Sequence, residues 1–264
     1  MAARPRAIAR PGRAFLRTIA VAAIATGAVH APSSLFGQST PTPPYRMVRP
    51  QGPGPHPALL LVSGCSGFAP DSAPDHYPRV AREFAARGFV VVFVDYLAAR
   101  DRKSCGGMVG PGDAAKDILA AARYASAQPF IRAGDVSVIG WSMGGGGVLA
   151  AISALPAGRA APFRRAVAYY PVCWGIDAPW RVAVPLLMLL AGRDEVSSTP
   201  ACHQLVKRLG EGQPIEVRVY PAARHAFDVP DLPPLTRLPN GAPIGHHPES
   251  AAAAREEVRR FLAR

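Results

Sequence analysis

Val136-Ser137-Val138-Ile139-Gly140-Trp141-Ser142-Met143-Gly144-Gly145 decides how this 264-residue chain folds. Val136 to Gly140 is a short apolar run rich in β-branched residues, which reads as a strand buried on both faces. An Ala-rich helix begins near Met143. Ser142 therefore stands alone on the turn between strand and helix, flanked at two residues on either side by glycine. Such a sharp turn strains the serine backbone and crowds the positions two residues away, where only small side chains fit. The serine oxygen is thereby held in the open at a helix N-terminus, where the helix dipole favours developing negative charge.

Moving outward, the same alternation repeats. Ala58 to Val62 and Phe89 to Val94 are continuous apolar runs, and between them Tyr77, Val80, Ala81, Phe84 and Ala85 fall at helical spacing before Gly88. A helix follows through Ile118 and Ala122. Beyond Ser142, strands are predicted at Ala166 to Tyr170 and Leu186 to Leu190, then a helix from Cys202 to Leu209. Ile215 to Val219 alternates with period two, which places it near a sheet edge with one wetter face. A last helix, Ser250 to Leu262, carries Ala254, Val258, Phe261 and Leu262 on one side. With a short edge strand near Tyr45 to Val48, strands alternating with helices imply an α/β fold around a doubly wound, mostly parallel sheet. No internal repeat or second domain is visible, so residues 45–264 form one domain.

In an open parallel sheet, chemistry gathers at the carboxyl ends of the strands. Four segments lie there: Ser63 to Gly67, Gly140 to Gly144, Gly192-Arg193-Asp194, and Arg224 to Phe227. A serine hydroxyl is a weak nucleophile at neutral pH and needs a base. His225 fits that role, and Asp194 fits the role of fixing its tautomer, in the chain order Ser, Asp, His. Glu195 and Asp228 compete with Asp194 as the acid. An oxyanion requires main-chain donors; the N–H of Met143 is one, and that of Cys65 the other, with Ser66 as its competitor. The adjacent pair His246-His247 reads as solvated loop. The Pro-rich segment from Asp228 to His247 directly follows the base, where it would wall the pocket.

The formal charge is +12, from 30 Lys and Arg against 18 Asp and Glu. Five of those charges, Arg4, Arg6, Arg10, Arg13 and Arg17, precede an apolar run from Ile19 to Val29, which is too short to span a bilayer and has the form of an export signal. Residues 1–31 are read as that signal, cut within about 28–38, and residues 32–44 as a Pro/Ser/Thr-rich linker. Removal leaves +7, spread over scattered arginines without interleaved aromatics, which excludes a nucleic-acid partner and leaves no stable membrane insertion. The protein is then periplasmic or secreted. Cys65, Cys105, Cys173 and Cys202 are an even set suited to disulfides in that compartment, and no Cys-x-x-C or Cys/His spacing suits a metal.

From residue 45 to its end the chain resembles the dienelactone hydrolase family of α/β-hydrolases. The likeness lies in Gly64-Cys65-Ser66-Gly67, Gly140 to Gly145, Gly192-Arg193-Asp194-Glu195, Tyr220-Pro221-Ala222-Ala223-Arg224-His225-Ala226-Phe227 and the Ala-rich last helix. It implies an eight-stranded sheet, a Ser142-Asp194-His225 triad, no cofactor, and cleavage of a small-molecule carboxylic ester or lactone. In that fold the first two apolar strands are neighbours, so the resemblance pairs Cys65 with Cys105 and Cys173 with Cys202. The namesake enzymes differ in using a cysteine nucleophile. They also hold a substrate carboxylate with arginines, one shortly after the catalytic histidine, where this chain reads Asp228-Val229-Pro230. Arg100 or Arg102 would supply one such contact; Ser66, Trp141, Arg100 and Phe227 are the candidate substrate contacts, and the specificity expected is broader than dienelactone. A peptidase or acyltransferase on the same scaffold is the alternative within enzymes, and a catalytically idle binding protein the alternative outside them.

Overall fold

The computed structural model describes residues 45–264 apart from 69, 70, 72, 156–160, 177–179 and 210. The export signal and linker read from residues 1–44 lie outside the described residues. Seven strands form one sheet: β1 (Met47–Val48), β2 (His56–Val62), β3 (Val90–Phe93), β4 (Ile131–Trp141), β5 (Arg165–Tyr169), β6 (Leu186–Ala191) and β7 (Ile215–Tyr220), in the order β1-β3-β2-β4-β5-β6-β7. Only β1 is antiparallel, Met47 standing opposite Val92. Across the parallel part, Leu60 pairs with both Val92 and Val138, Val138 with Ala166, and Ala166 with Leu186.

The eight strands implied by family resemblance are thus seven, which is the number the apolar runs themselves predict. Between β1 and β2 the chain reads Arg49-Pro50-Gln51-Gly52-Pro53-Gly54-Pro55. Three prolines without N–H groups alternate there with flexible glycines and cannot extend a ladder. A separate two-stranded ribbon, β8 (Thr236–Arg237) with β9 (Pro243–Ile244), lies in the Pro-rich segment after His225.

Alternation along each strand divides the core into two layers. Leu60, Val92, Val138 and Ala166 face α2 (Pro111–Ser126), α3 (Met143–Ser153) and α4 (Thr199–Lys207), where Ile118, Leu149 and Leu205 are fully buried. Leu59, Val91, Ile139 and Val167 face α1 (His76–Ala85) and α5 (Pro248–Ala263), meeting Phe84, Val258 and Phe261. Among the described residues no helix is long and apolar enough to cross a membrane.

Disulfides join Cys65 to Cys105 and Cys173 to Cys202, each with Cα atoms 5.0 Å apart. These account for all four cysteines of the chain and point to an oxidising compartment. The first ties the turn after β2 to the loop after β3; the second ties the loop after β5 to α4.

Candidate active site

Ser142 occupies the single residue between β4 and α3, with φ 51° and ψ −115°. A left-handed φ on a non-glycine residue is strain that the surroundings must hold in place, and the flanking glycines are what let them do so. A Cβ on Gly140 would stand 2.4 Å from the Gly144 carbonyl oxygen, and one on Gly144 would stand 2.3 Å from that of Ser63. The start of α3 therefore presses directly onto the end of β2. Gly146 and Gly147 are equally hemmed in, by Val172 and Ala114 at 2.6 Å, which is why a helix that would gain from alanine carries glycine.

The turn after β6 delivers Asp194, and the loop after β7 delivers His225, both buried. His225 Nε2 lies 3.0 Å from Ser142 Oγ, and its Nδ1 lies 2.8 Å from Asp194 Oδ2. The second Asp194 oxygen accepts the N–H groups of Val196 at 2.8 Å and Ser197 at 2.9 Å. Burial alone would raise the Asp194 pKa, but the hydrogen bond and charge of His225, with those two N–H groups, outweigh it and hold the carboxyl below its ordinary value. A carboxylate at Nδ1 fixes the proton there and leaves Nε2 to accept from the Ser142 hydroxyl. The Ser197 hydroxyl, 3.5 Å from Nδ1, closes the other side.

Tyrosines and a disulfide anchor the turn carrying Cys65. Gly64 N–H donates to the Tyr77 hydroxyl at 2.9 Å, and the Tyr96 hydroxyl donates to Gly64 O at 3.2 Å. Cys105 N–H bonds Cys65 O at 3.2 Å beside the bridge. A Cβ on Gly64 would lie 3.4 Å from Ser142 Cβ, so the turn abuts Ser142. Among the described residues the N–H groups of Cys65 and Met143 have no protein acceptor, as oxyanion donors require.

A pocket of about 180 Å³ opens above Ser142, lined by Cys65, Ser66, Trp141 and His225 among others. Two expected substrate contacts do not reach it. The Arg100 guanidinium is taken up by Asp117 of α2, by Tyr96 O at 2.7 Å and by Asp113, so it serves the fold; Arg102 instead meets the Met108 sulfur at 3.4 Å. Phe227 is wholly buried against Tyr169, Tyr170 and Tyr220, because the left-handed turn at Ala226, φ 61°, intervenes between it and His225. The Met143 side chain is likewise in the core, leaving only its N–H to the site. Of the competing acids, Glu195 is exposed, 3.8 Å from Arg224. His247 is not free loop: its ring caps α5, accepting Ser250 N–H at 3.3 Å.

Asp228 has a different place, one that sequence reasoning missed. Its carboxylate accepts Trp141 Nε1–H at 2.8 Å and the Tyr170 hydroxyl at 2.5 Å, all three side chains being buried. Trp141 precedes the serine, Tyr170 packs its ring 4.5 Å from that of His225, and Asp228 is three residues past the base. One carboxylate thus pins the loop carrying His225 to the turn carrying Ser142. His76, 3.8 Å from Asp228, has its pKa lowered by burial, which the Asp228 charge opposes without overcoming. Asp228→Ala leaves two buried donors unpaired at roughly 1 to 3 kcal/mol each. Urea unfolding is expected to show a loss of about 2 to 6 kcal/mol, with Asp228→Asn, which keeps one acceptor, losing less.

The dienelactone hydrolase family model matches residues 45–264. Among solved structures, a candidate dienelactone hydrolase from Klebsiella pneumoniae superposes with a TM-score of 0.67 at 18% identity, covering 83% of this chain and 91% of its own. A dienelactone hydrolase-like promiscuous phosphotriesterase from metagenomic libraries gives 0.63 at 18% identity, with 80% and 87% covered. A thermophilic esterase from the planctomycete Thermogutta terrifontis gives 0.58 at 16%, with 83% and 88% covered. At such identities these likenesses establish the fold. No curated protein sequence matches.

Proposed function

Because the chain belongs to the dienelactone hydrolase family, within the α/β-hydrolase superfamily, we propose that this hydrolase is a serine enzyme that cleaves a carboxylic ester or lactone through an acyl-enzyme. The observation that carries this reading is the unbroken relay from Ser142 Oγ to His225 Nε2 at 3.0 Å and from His225 Nδ1 to Asp194 at 2.8 Å.

As Ser142 Oγ attacks the substrate carbonyl, His225 Nε2 takes its proton, and Asp194 stabilises the imidazolium. The carbonyl oxygen becomes an oxyanion held by the N–H groups of Cys65 and Met143. On collapse, the same Nε2 proton passes to the departing alkoxide, leaving the acyl group on Ser142. Water then attacks with His225 again as base, releasing the acid and restoring the serine. For a lactone, alcohol and acid leave as one molecule.

Residues 1–31 act as the export signal and 32–44 as the linker in this reading, with residues 45–264 working outside the cytoplasm. The Cys65–Cys105 bridge supports it, since it braces the turn that supplies an oxyanion donor. A fluorophosphonate is expected to label one equivalent per chain and to abolish ester turnover in proportion; turnover unaffected by the reagent would rule the mechanism out.

A further inference from the structure

The wall of the pocket facing Ser142 comes from the segment between the base and α5. Val229, Leu232, Leu238 and Ile244 line it from that side, and Ala73 and Tyr77 from the other. The segment is strapped down. Gly245 N–H bonds His225 O at 3.1 Å, His246 N–H bonds Pro233 O at 3.2 Å, and His247 N–H bonds Phe227 O at 2.9 Å. A Cβ on Gly245 would lie 2.3 Å from Pro234 O, so the strap is closely packed on itself as well.

Charge decides what such a wall admits. No Lys or Arg is among the described residues lining the pocket. Of the arginines around it, Arg100 is held by Asp117 and Asp113, and Arg79 by Asp231 at 2.7 Å. The buried acidic groups beside the pocket, Asp194 and Asp228, carry the same sign as a substrate carboxylate. A carboxylate entering here would meet no Lys or Arg on the described lining to replace the water it loses, which is a heavy cost.

Resting on the reading of Ser142 as nucleophile, we infer that the pocket takes uncharged, compact apolar esters or lactones and rejects those bearing a carboxylate, with Leu238 and its neighbours on the strap setting that preference. The departure is from the arginine-held carboxylate that family resemblance would bring.

Two matched pairs test it by kcat/KM. One is para-nitrophenyl hexanoate against the para-nitrophenyl monoester of adipic acid, charged on the acyl side. The other is the acetate of methyl para-hydroxybenzoate against that of para-hydroxybenzoate, charged on the alcohol side. The neutral ester is expected to lead on the order of 100-fold in at least one pair. A lead under about tenfold in both pairs overturns the inference. Leu238→Arg is expected to narrow the ratio by about tenfold or more; an unchanged ratio overturns the assignment to the strap. Hydrolysis of none of the four esters would instead sink the hydrolytic reading of Ser142 and this inference with it.

Discussion

Replacing Ser142 by Ala is expected to lower kcat on test esters by roughly 10⁴- to 10⁶-fold while leaving the unfolding free energy within about 0.5 kcal/mol of the parent. The chemical loss is large because, among the described residues, Ser142 alone places a hydroxyl within hydrogen-bond reach of His225 Nε2. All four cysteines are locked in disulfides, so the thiol that serves the family's namesake enzymes has no counterpart here. The structural loss is small because the substitution removes one oxygen from a half-buried position and keeps the Cβ, so the strained backbone at φ 51° is carried equally by both proteins. Residual catalysis would come from the oxyanion donors alone. A variant retaining a tenth of the parent rate would remove Ser142 from the mechanism.

Gly144→Ala is expected to destabilise the protein by at least about 4 kcal/mol, lowering the melting temperature by roughly 10 °C. The added methyl would sit 2.3 Å from Ser63 O and 2.5 Å from Val62 O. Both are main-chain atoms at the end of a strand hydrogen-bonded on both sides, so they cannot swing aside as a flexible side chain would. Relief requires α3 to lift away, and that moves Ser142 and the Met143 N–H together. Gly112→Ala provides the contrast, since a Cβ there meets nothing within 4 Å. Alanine in that helix is expected to be neutral or to stabilise by up to about 1 kcal/mol. A Gly144→Ala protein within 1 kcal/mol of the parent in urea unfolding would show that the contact does not constrain the elbow.

The strand-to-helix rhythm and the elbow are legible in the sequence because both are local. Apolar runs of β-branched residues have few other uses, and glycines two residues either side of a serine mark a turn that only small residues tolerate. Asp194 and His225 are legible because a parallel sheet collects its strand ends along one edge. What escapes the sequence depends on meetings between distant elements. Nothing near Asp228 announces that Trp141 and Tyr170, 87 and 58 residues away, will both donate to it. Arg100 has the right place after a strand, yet two acids of α2 claim it, and that geometry is invisible in a linear reading. Phe227 fails for a smaller reason: Ala226 takes a left-handed φ, for which the letters around it give no cue. The strap is legible only as a Pro-rich segment after the base; its apolar inner face emerges once Leu232, Leu238 and Ile244 are seen against Ser142.

The most direct measurement is to react the purified protein with a fluorophosphonate, digest it and locate the adduct by mass spectrometry. The account predicts one adduct, on the peptide containing Trp141-Ser142-Met143, and none in the Ser142→Ala protein. An adduct on any other residue, or labelling that persists in the variant, would contradict it.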